Sequence, residues 1–213
     1  MSSWADLQGG TWLHYEATAL HAVDDAPAGD PPVHDLVLAG AKLHGVVGRS
    51  ATIGYHVGFE FALGGAIDRG GFAYDVTLFP VGVAVRLGET GVLALGAGVE
   101  ASGATGGAMD DAVLLPLEAT LELGGGRLRL LARGRASYVA GAEAREHGAP
   151  SIPFADELDA MVGLRVGHHY EQYGYPAGNG YFLGAAYREL AGTRFAGLVL
   201  GYSIDFATRR KRA

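Results

Sequence analysis

Two imidazoles and a carboxylate fall within four residues at His168-His169-Tyr170-Glu171. Such a set could coordinate a metal or pair a general base with its orienting group. Two facts count against both readings. No serine lies beside the histidines, and adjacent strand residues point to opposite faces, so one ion cannot take both imidazoles without a bulge. His168, His169 and Glu171 are therefore the catalytic candidates of an alternative, a lipid-modifying hydrolase with a histidine base. A second set is His14, His44 and His56, near Glu16 and Glu60. If their strands are neighbours, these form either a pH-responsive lumen, since histidine titrates near neutrality, or a structural hydrogen-bonded network, which is favoured. A third is the ladder Arg127, Arg129, Arg133, Arg135, which reads either as an anion-selective wall or as half of a salt-bridge lattice. The lattice is favoured, because acids stand opposite.

Metal and cofactor chemistry find little else. The chain has no cysteine, so thiolate sites and disulfides are excluded. The acidic stretch Asp24 to Pro32 lacks the ligand spacing of a calcium loop. Gly103 to Gly107 precedes no helix, so it is no phosphate cradle. No metal and no cofactor is expected. A net charge of −7 excludes a nucleic-acid partner, which would need a basic stripe.

The elements that hold these residues alternate with period two. Ile53, Tyr55, Val57, Phe59, Phe61 and Leu63 form one apolar stripe, with Gly54, His56, Gly58, Glu60 and Ala62 on the other face. A helix would scatter those side chains around its axis, whereas a strand lines them up. The pattern recurs at 93–100, 113–123, 127–138, 158–167 and 196–206, and more weakly at 12–20, 36–46, 72–87 and 181–190. Within 72–87 the apolar phase slips by one, which places a β-bulge at Phe79-Pro80, where proline cannot donate to a ladder. Long connections are expected at 21–34, 64–71, 103–111 and 141–156, with an intermediate one at 173–179 and tight turns elsewhere.

The polar face decides which side is wet. It carries Glu16, Lys42, His56, Glu60, Asp75, Arg86, Glu100, Glu118, Glu122, Arg129, Arg133, Arg135, Asp159, Arg165, Arg188 and Asp205 on a background of glycine and alanine. Lysine, the usual guard of a soluble sheet, occurs only at Lys42 and Lys211. Glycine is 35 of 213 residues, far above the usual share of about 7%. Balanced arginine and acid on small-residue strands suit a narrow lumen, where glycine leaves room for guanidinium groups. Glu118 and Glu122 stand one hairpin from Arg129, Arg133 and Arg135 and are the expected partners. Tyr55, Phe72, Tyr138, Tyr202 and Phe206 sit near strand ends on the apolar face, as interfacial girdles do.

The last strand, Leu198 to Phe206, resembles the C-terminal signal of bacterial outer-membrane β-barrel proteins, an alternating apolar strand closed by an aromatic. Here Ala207 to Ala213 follows it. The resemblance implies an all-β, closed, up-and-down, antiparallel transmembrane barrel of about ten strands, with eight as the alternative. It would comprise a lead-in at 1–9, the barrel at 10–206 and a basic tail at 207–213. It also implies an outer-membrane location, with lipid as partner, other envelope proteins at the long loops, and anionic headgroups at Arg209 to Arg212. Met1 to Asp6 has no basic and apolar leader pattern, which leaves a processed chain or one never exported. The role implied is structural, binding or narrow-channel, with a largely occluded lumen. The remaining alternative is a soluble barrel holding an apolar ligand.

Overall fold

The computed structural model describes residues 9–23, 33–48, 52–68, 70–88, 90–105, 109–125, 127–143, 156–172, 175–190 and 192–207. The acidic stretch 24–32, the loop 144–155 and the tail 208–213 lie outside the described residues, and so do expectations placed on them. Ten strands follow one another: β1 (Gly10–Ala22), β2 (Asp35–Val47), β3 (Ile53–Ala66), β4 (Gly71–Leu87), β5 (Gly91–Ala104), β6 (Met109–Leu123), β7 (Leu128–Glu143), β8 (Glu157–Gln172), β9 (Tyr175–Leu190) and β10 (Thr193–Ala207). Each pairs antiparallel with the next, and β1 pairs with β10 from Gly10↔Ala207 to Ala22↔Phe195, so the sheet closes on itself.

All five expected connections prove shorter; 21–34 becomes 23–34 and 141–156 becomes 144–156. β3 and β4 are joined by residues 67–70, not 64–71, because Gly64 and Gly65 continue to pair with Ala73 and Phe72. β5 and β6 are joined by 105–108. The expected turn at 173–179 shrinks to 173–174, because Tyr175 to Asn179 pair with β8 from Gln172 to His168. Backbone groups in a membrane must find partners within the sheet, so ladders run on through glycine and proline that sequence reading takes as breakers. At the first of these turns Gly70 adopts φ 65°, a left-handed conformation that glycine takes without a steric penalty.

The bulge lies where the phase slip put it. Leu78 pairs with Val99 but Val81 with Ala97, so β4 carries one extra residue. The consequence is that Phe79 turns inward and is fully buried, while Pro80 and Val81 face out. The Tyr55 hydroxyl donates to the Pro80 carbonyl beside the break.

The apolar stripes lie on the outside. Leu200 is 59% exposed, Leu164 52% and Phe59 44%, whereas Glu60, Glu122 and Arg129 are at most 3% exposed. Greasy exterior and charged interior together are the inside-out arrangement of a barrel that crosses a bilayer. They are the opposite of a soluble barrel with an apolar core.

The interior is not polar throughout. At the end carrying the connection 23–34, Leu20, Leu36, Leu38, Ala66, Ala73, Ala104, Leu190 and Phe195 pack into an apolar layer across the mouth. At the opposite end Trp12, Val46, Ala84, Val92 and Ala94 form a cluster along β1, β2, β4 and β5, at the level of Glu122 and Asp205. Most of the charged residues lie between, beside a third apolar cluster of Leu131, Met161, Phe182 and Val199.

Candidate functional site

The charged layer is built by alternation: every second residue of each strand projects inward. On β6 and β7 the ladder sets Glu118 opposite Arg135, and Arg135 Nη2 donates to Glu118 Oε2 at 2.7 Å, with Nε donating to the same oxygen at 3.0 Å. Glu122 accepts from Arg129 Nη1 at 2.6 Å, although their backbone positions are not paired, because the arginine stem reaches along the strand. Both bonds join residues that the hairpin spacing made partners. Arg133 instead reaches across the lumen to Glu16 on β1, with both Nη atoms at 3.3 Å.

Other bonds cross the lumen too. Arg135 also donates to Glu60 on β3, and to Thr77 Oγ1 on β4 at 3.2 Å. Arg188 on β9 donates to Asp75 Oδ2 on β4 at 2.9 Å, joining strands five places apart around a ring of ten. Arg165 bonds Asp205 on β10 and Glu122 Oε1 on β6, the latter at 3.4 Å. Lys42 donates to Glu60 and lies 3.3 Å from Glu16 Oε1. Asp159 faces Arg188 across the β8–β9 ladder and lines a central cavity of about 40 Å³ with Arg133, Lys42 and Met161. That volume holds about three waters.

The histidines come together as their spacing allowed, with one addition. His44 Nε2 lies 2.7 Å from Glu60 Oε1, and its Nδ1 lies 2.8 Å from His56 Nε2. A carboxylate only accepts, so a neutral His44 donates from Nε2 and accepts from His56, giving a directed chain His56 to His44 to Glu60. His14 joins through Trp12, whose ring stacks on His44 at 4.0 Å between centroids and lies 4.4 Å from His14. His44, Glu60 and Glu118 also offer ligand atoms within 4.8 Å of one another. Lys42 and Arg135 already neutralise those two carboxylates, so a metal there would meet no excess negative charge.

At the same end of the barrel, His168 is exposed on β8, opposite Asn179 of β9. The side chains of His169 and Glu171 lie outside the described residues. Outside the wall, Tyr55, Phe72, Tyr138 and Phe206 are exposed, and Tyr202 is half-covered by Tyr181 at 4.9 Å between ring centroids.

Sequence reading missed four inward aromatics and one acid. Trp12, Phe79, Phe182 and Phe195 are buried in the interior. Trp12 shares the parity of His14 and Glu16, and Phe182 stands between outward Tyr181 and Leu183, so alternation alone would have turned both inward. Glu157, buried at the start of β8, was assigned to no strand, although it is two residues before Asp159. The glycines also serve a different purpose from the one expected. A Cβ at Gly58 would stand 2.8 Å from the His44 ring, and one at Gly201 would stand 2.3 Å from the Phe182 ring. In these two places glycine makes room for rings rather than guanidinium groups.

No family model and no curated protein matches the sequence. Among solved structures the chain is similar to bacterial outer-membrane barrels. The beta domain of the Bordetella autotransporter BrkA is 13% identical, with 94% of this chain and 99% of that one covered, at a TM-score of 0.45. An outer membrane channel from Pseudomonas putida F1 is 12% identical, with 92% and 94% covered, at 0.42. The TodX monoaromatic hydrocarbon channel, as its deltaS2 mutant, is 7% identical, with 95% and 90% covered, at 0.35.

Proposed function

We propose that this chain is an integral outer-membrane barrel with a non-enzymatic, structural or binding role, its lumen closed by its own side chains. One observation carries the reading: guanidinium–carboxylate bonds run from wall to wall, as from Arg133 on β7 to Glu16 on β1. Ten strands about 4.8 Å apart and tilted about 40° give a backbone diameter of roughly 20 Å. Long side chains from facing walls meet across such a width. The apolar layer across the mouth adds a dewetted barrier at that end. Contact with partner proteins then falls to the connections at 23–34 and 144–156, and contact with lipid to the exposed apolar wall.

Two measurements test the reading. The protein should partition into detergent on extraction, and recovery in the aqueous phase would overturn the membrane assignment. In planar bilayers the wild type should pass no step currents. Steady single-channel conductance would refute closure and leave a pore.

A further inference from the structure

Four carboxyl groups on the mouth side of the lumen face one guanidinium. Arg188 Nη2 on β9 lies 2.9 Å from Asp75 Oδ2 on β4, 3.4 Å from Glu157 Oε2 on β8 and 3.8 Å from Glu100 Oε1 on β5. Asp159, also on β8, stands opposite Arg188 in the ladder and lines the central cavity. Were all four ionised, four charges against one would leave −3. Uncompensated charge at membrane depth is costly. The neighbouring layer lends little: Lys42 on β2 and Arg133 and Arg135 on β7 bond Glu16 on β1, Glu60 on β3 and Glu118 on β6, three against three. Arg135 Nη1 comes only to 3.7 Å from Glu100, and β10 faces the group with apolar Val199.

The four are not equivalent. Each Asp75 oxygen has a donor, Thr77 Oγ1 at 3.2 Å on one and Arg188 at 2.9 Å on the other. Asp159 is half-buried, beside a cavity with room for water. Glu100 and Glu157 are only 1% and 6% exposed. Ser137 Oγ donates to Glu100 Oε2 at 2.9 Å, and Arg188 reaches Glu157 Oε2 at 3.4 Å. The other oxygen of each, Oε1, is buried without a hydrogen-bond partner. A carboxylate that is dry on one oxygen and crowded by like charges is relieved of both penalties by taking up a proton.

We propose that Glu100 and Glu157 are carboxylic acids at neutral pH, and that their two protons latch the mouth of the barrel. With both in place the charge of the group falls from −3 to −1. Arg188 and Ser102 line a void with Leu36, Leu38 and Leu190, so the group lies directly beneath the apolar mouth layer. When alkali takes the protons as water, Glu100 on β5 and Glu157 on β8 repel one another across the lumen and push that layer apart. The latch rests on the closed-lumen reading, whereas the protonation does not.

Infrared spectra of the refolded protein, in detergent and heavy water at neutral pH, should show a carboxylic-acid C=O band from both groups. Glutamine copies the protonated side chain in shape and charge, so Glu100→Gln and Glu157→Gln should refold, and each should remove half of the band. The wild-type band should also fade towards about pH 10, a reading that needs no variant. Absence of the band at neutral pH, or its full retention in both variants, overturns the proposal. In planar bilayers the wild type should be silent at neutral pH and pass step currents at about pH 10, where the double variant Glu100→Gln with Glu157→Gln stays silent. Wild-type currents at neutral pH with the band intact are a failure of the closed lumen. Silence of the wild type in alkali with the band gone is a failure of the latch.

Discussion

Replacing Arg135 by methionine removes the best-connected cation of the lumen. Its guanidinium donates to Glu118 through two nitrogens, bonds Glu60 and Thr77, and stands 5.3 Å above the Phe79 ring. Methionine keeps much of the length and none of the charge. Breaking one partner of a buried pair costs about 3–5 kcal/mol, since the other charge stays buried and uncompensated. Loss of the ring contact adds about 1 kcal/mol. Glu118 is stranded while Glu60 keeps Lys42 and His44, so the expected loss is about 4 kcal/mol. The assay is urea unfolding of the refolded barrel in lipid vesicles in a Trp4→Phe background, followed by the fluorescence of Trp12, whose ring is held against His44. The pair Arg135→Met with Glu118→Gln should recover at least about 1.5 kcal/mol relative to additivity, because the second change removes the stranded charge. A loss under about 1 kcal/mol for Arg135→Met, or strict additivity in the double variant, would refute the account of the lumen as a mutually neutralising lattice.

Arg133→Met should cost less, about 1–3 kcal/mol, because its bonds to Glu16 are both 3.3 Å; the same unfolding assay gives the comparison. Leu200→Arg places a charge on the exposed apolar wall and should cost about 2–4 kcal/mol in vesicles, less if the position lies near the bilayer surface. Gly98→Ala should impair folding severely, since the new Cβ would stand 2.0 Å from the Leu78 carbonyl beside the bulge; loss of the compact, heat-modifiable gel band reads this out. Asp68, in the turn after β3, loses some solvation, which pushes its carboxyl up, but the amides of His34 and Asp35 donate to it and hold it below the usual carboxylate range. A depressed carboxyl stabilises the fold above its unfolded-state value and ceases to as pH falls through its own. The His34 and Asp35 amides should therefore stay protected into mild acid and lose protection only below the ordinary aspartate range, with hydrogen exchange as the measure.

Period-two patterning made the barrel legible because a two-faced sheet enforces parity at every position. The faces of Ile53 to Leu63, the slip at Phe79-Pro80 and the hairpin partners of Glu118 and Glu122 all follow from parity and local spacing. The connections did not, because Gly64-Gly65 and Tyr175-Pro176 look like turns in a soluble context and like ladder in a membrane. Cross-lumen partners such as Arg133 and Glu16 depend on barrel shear, which no single strand encodes. The apolar layers at Leu36, Leu38 and Trp12 were hidden for a simpler reason. Apolar residues on the inward face break the rule that inside is polar, and only the closed barrel shows that they meet.

A strand carrying Glu60 on one face and Phe59 on the other has no comfortable home alone. Laid in hydrocarbon as an open ribbon, it would strip water from carboxylates and guanidinium groups before their mates arrived. Insertion and the zipping of β1 onto β10 must therefore advance together, and the half-made ring needs a wet or proteinaceous shelter until the seam is shut.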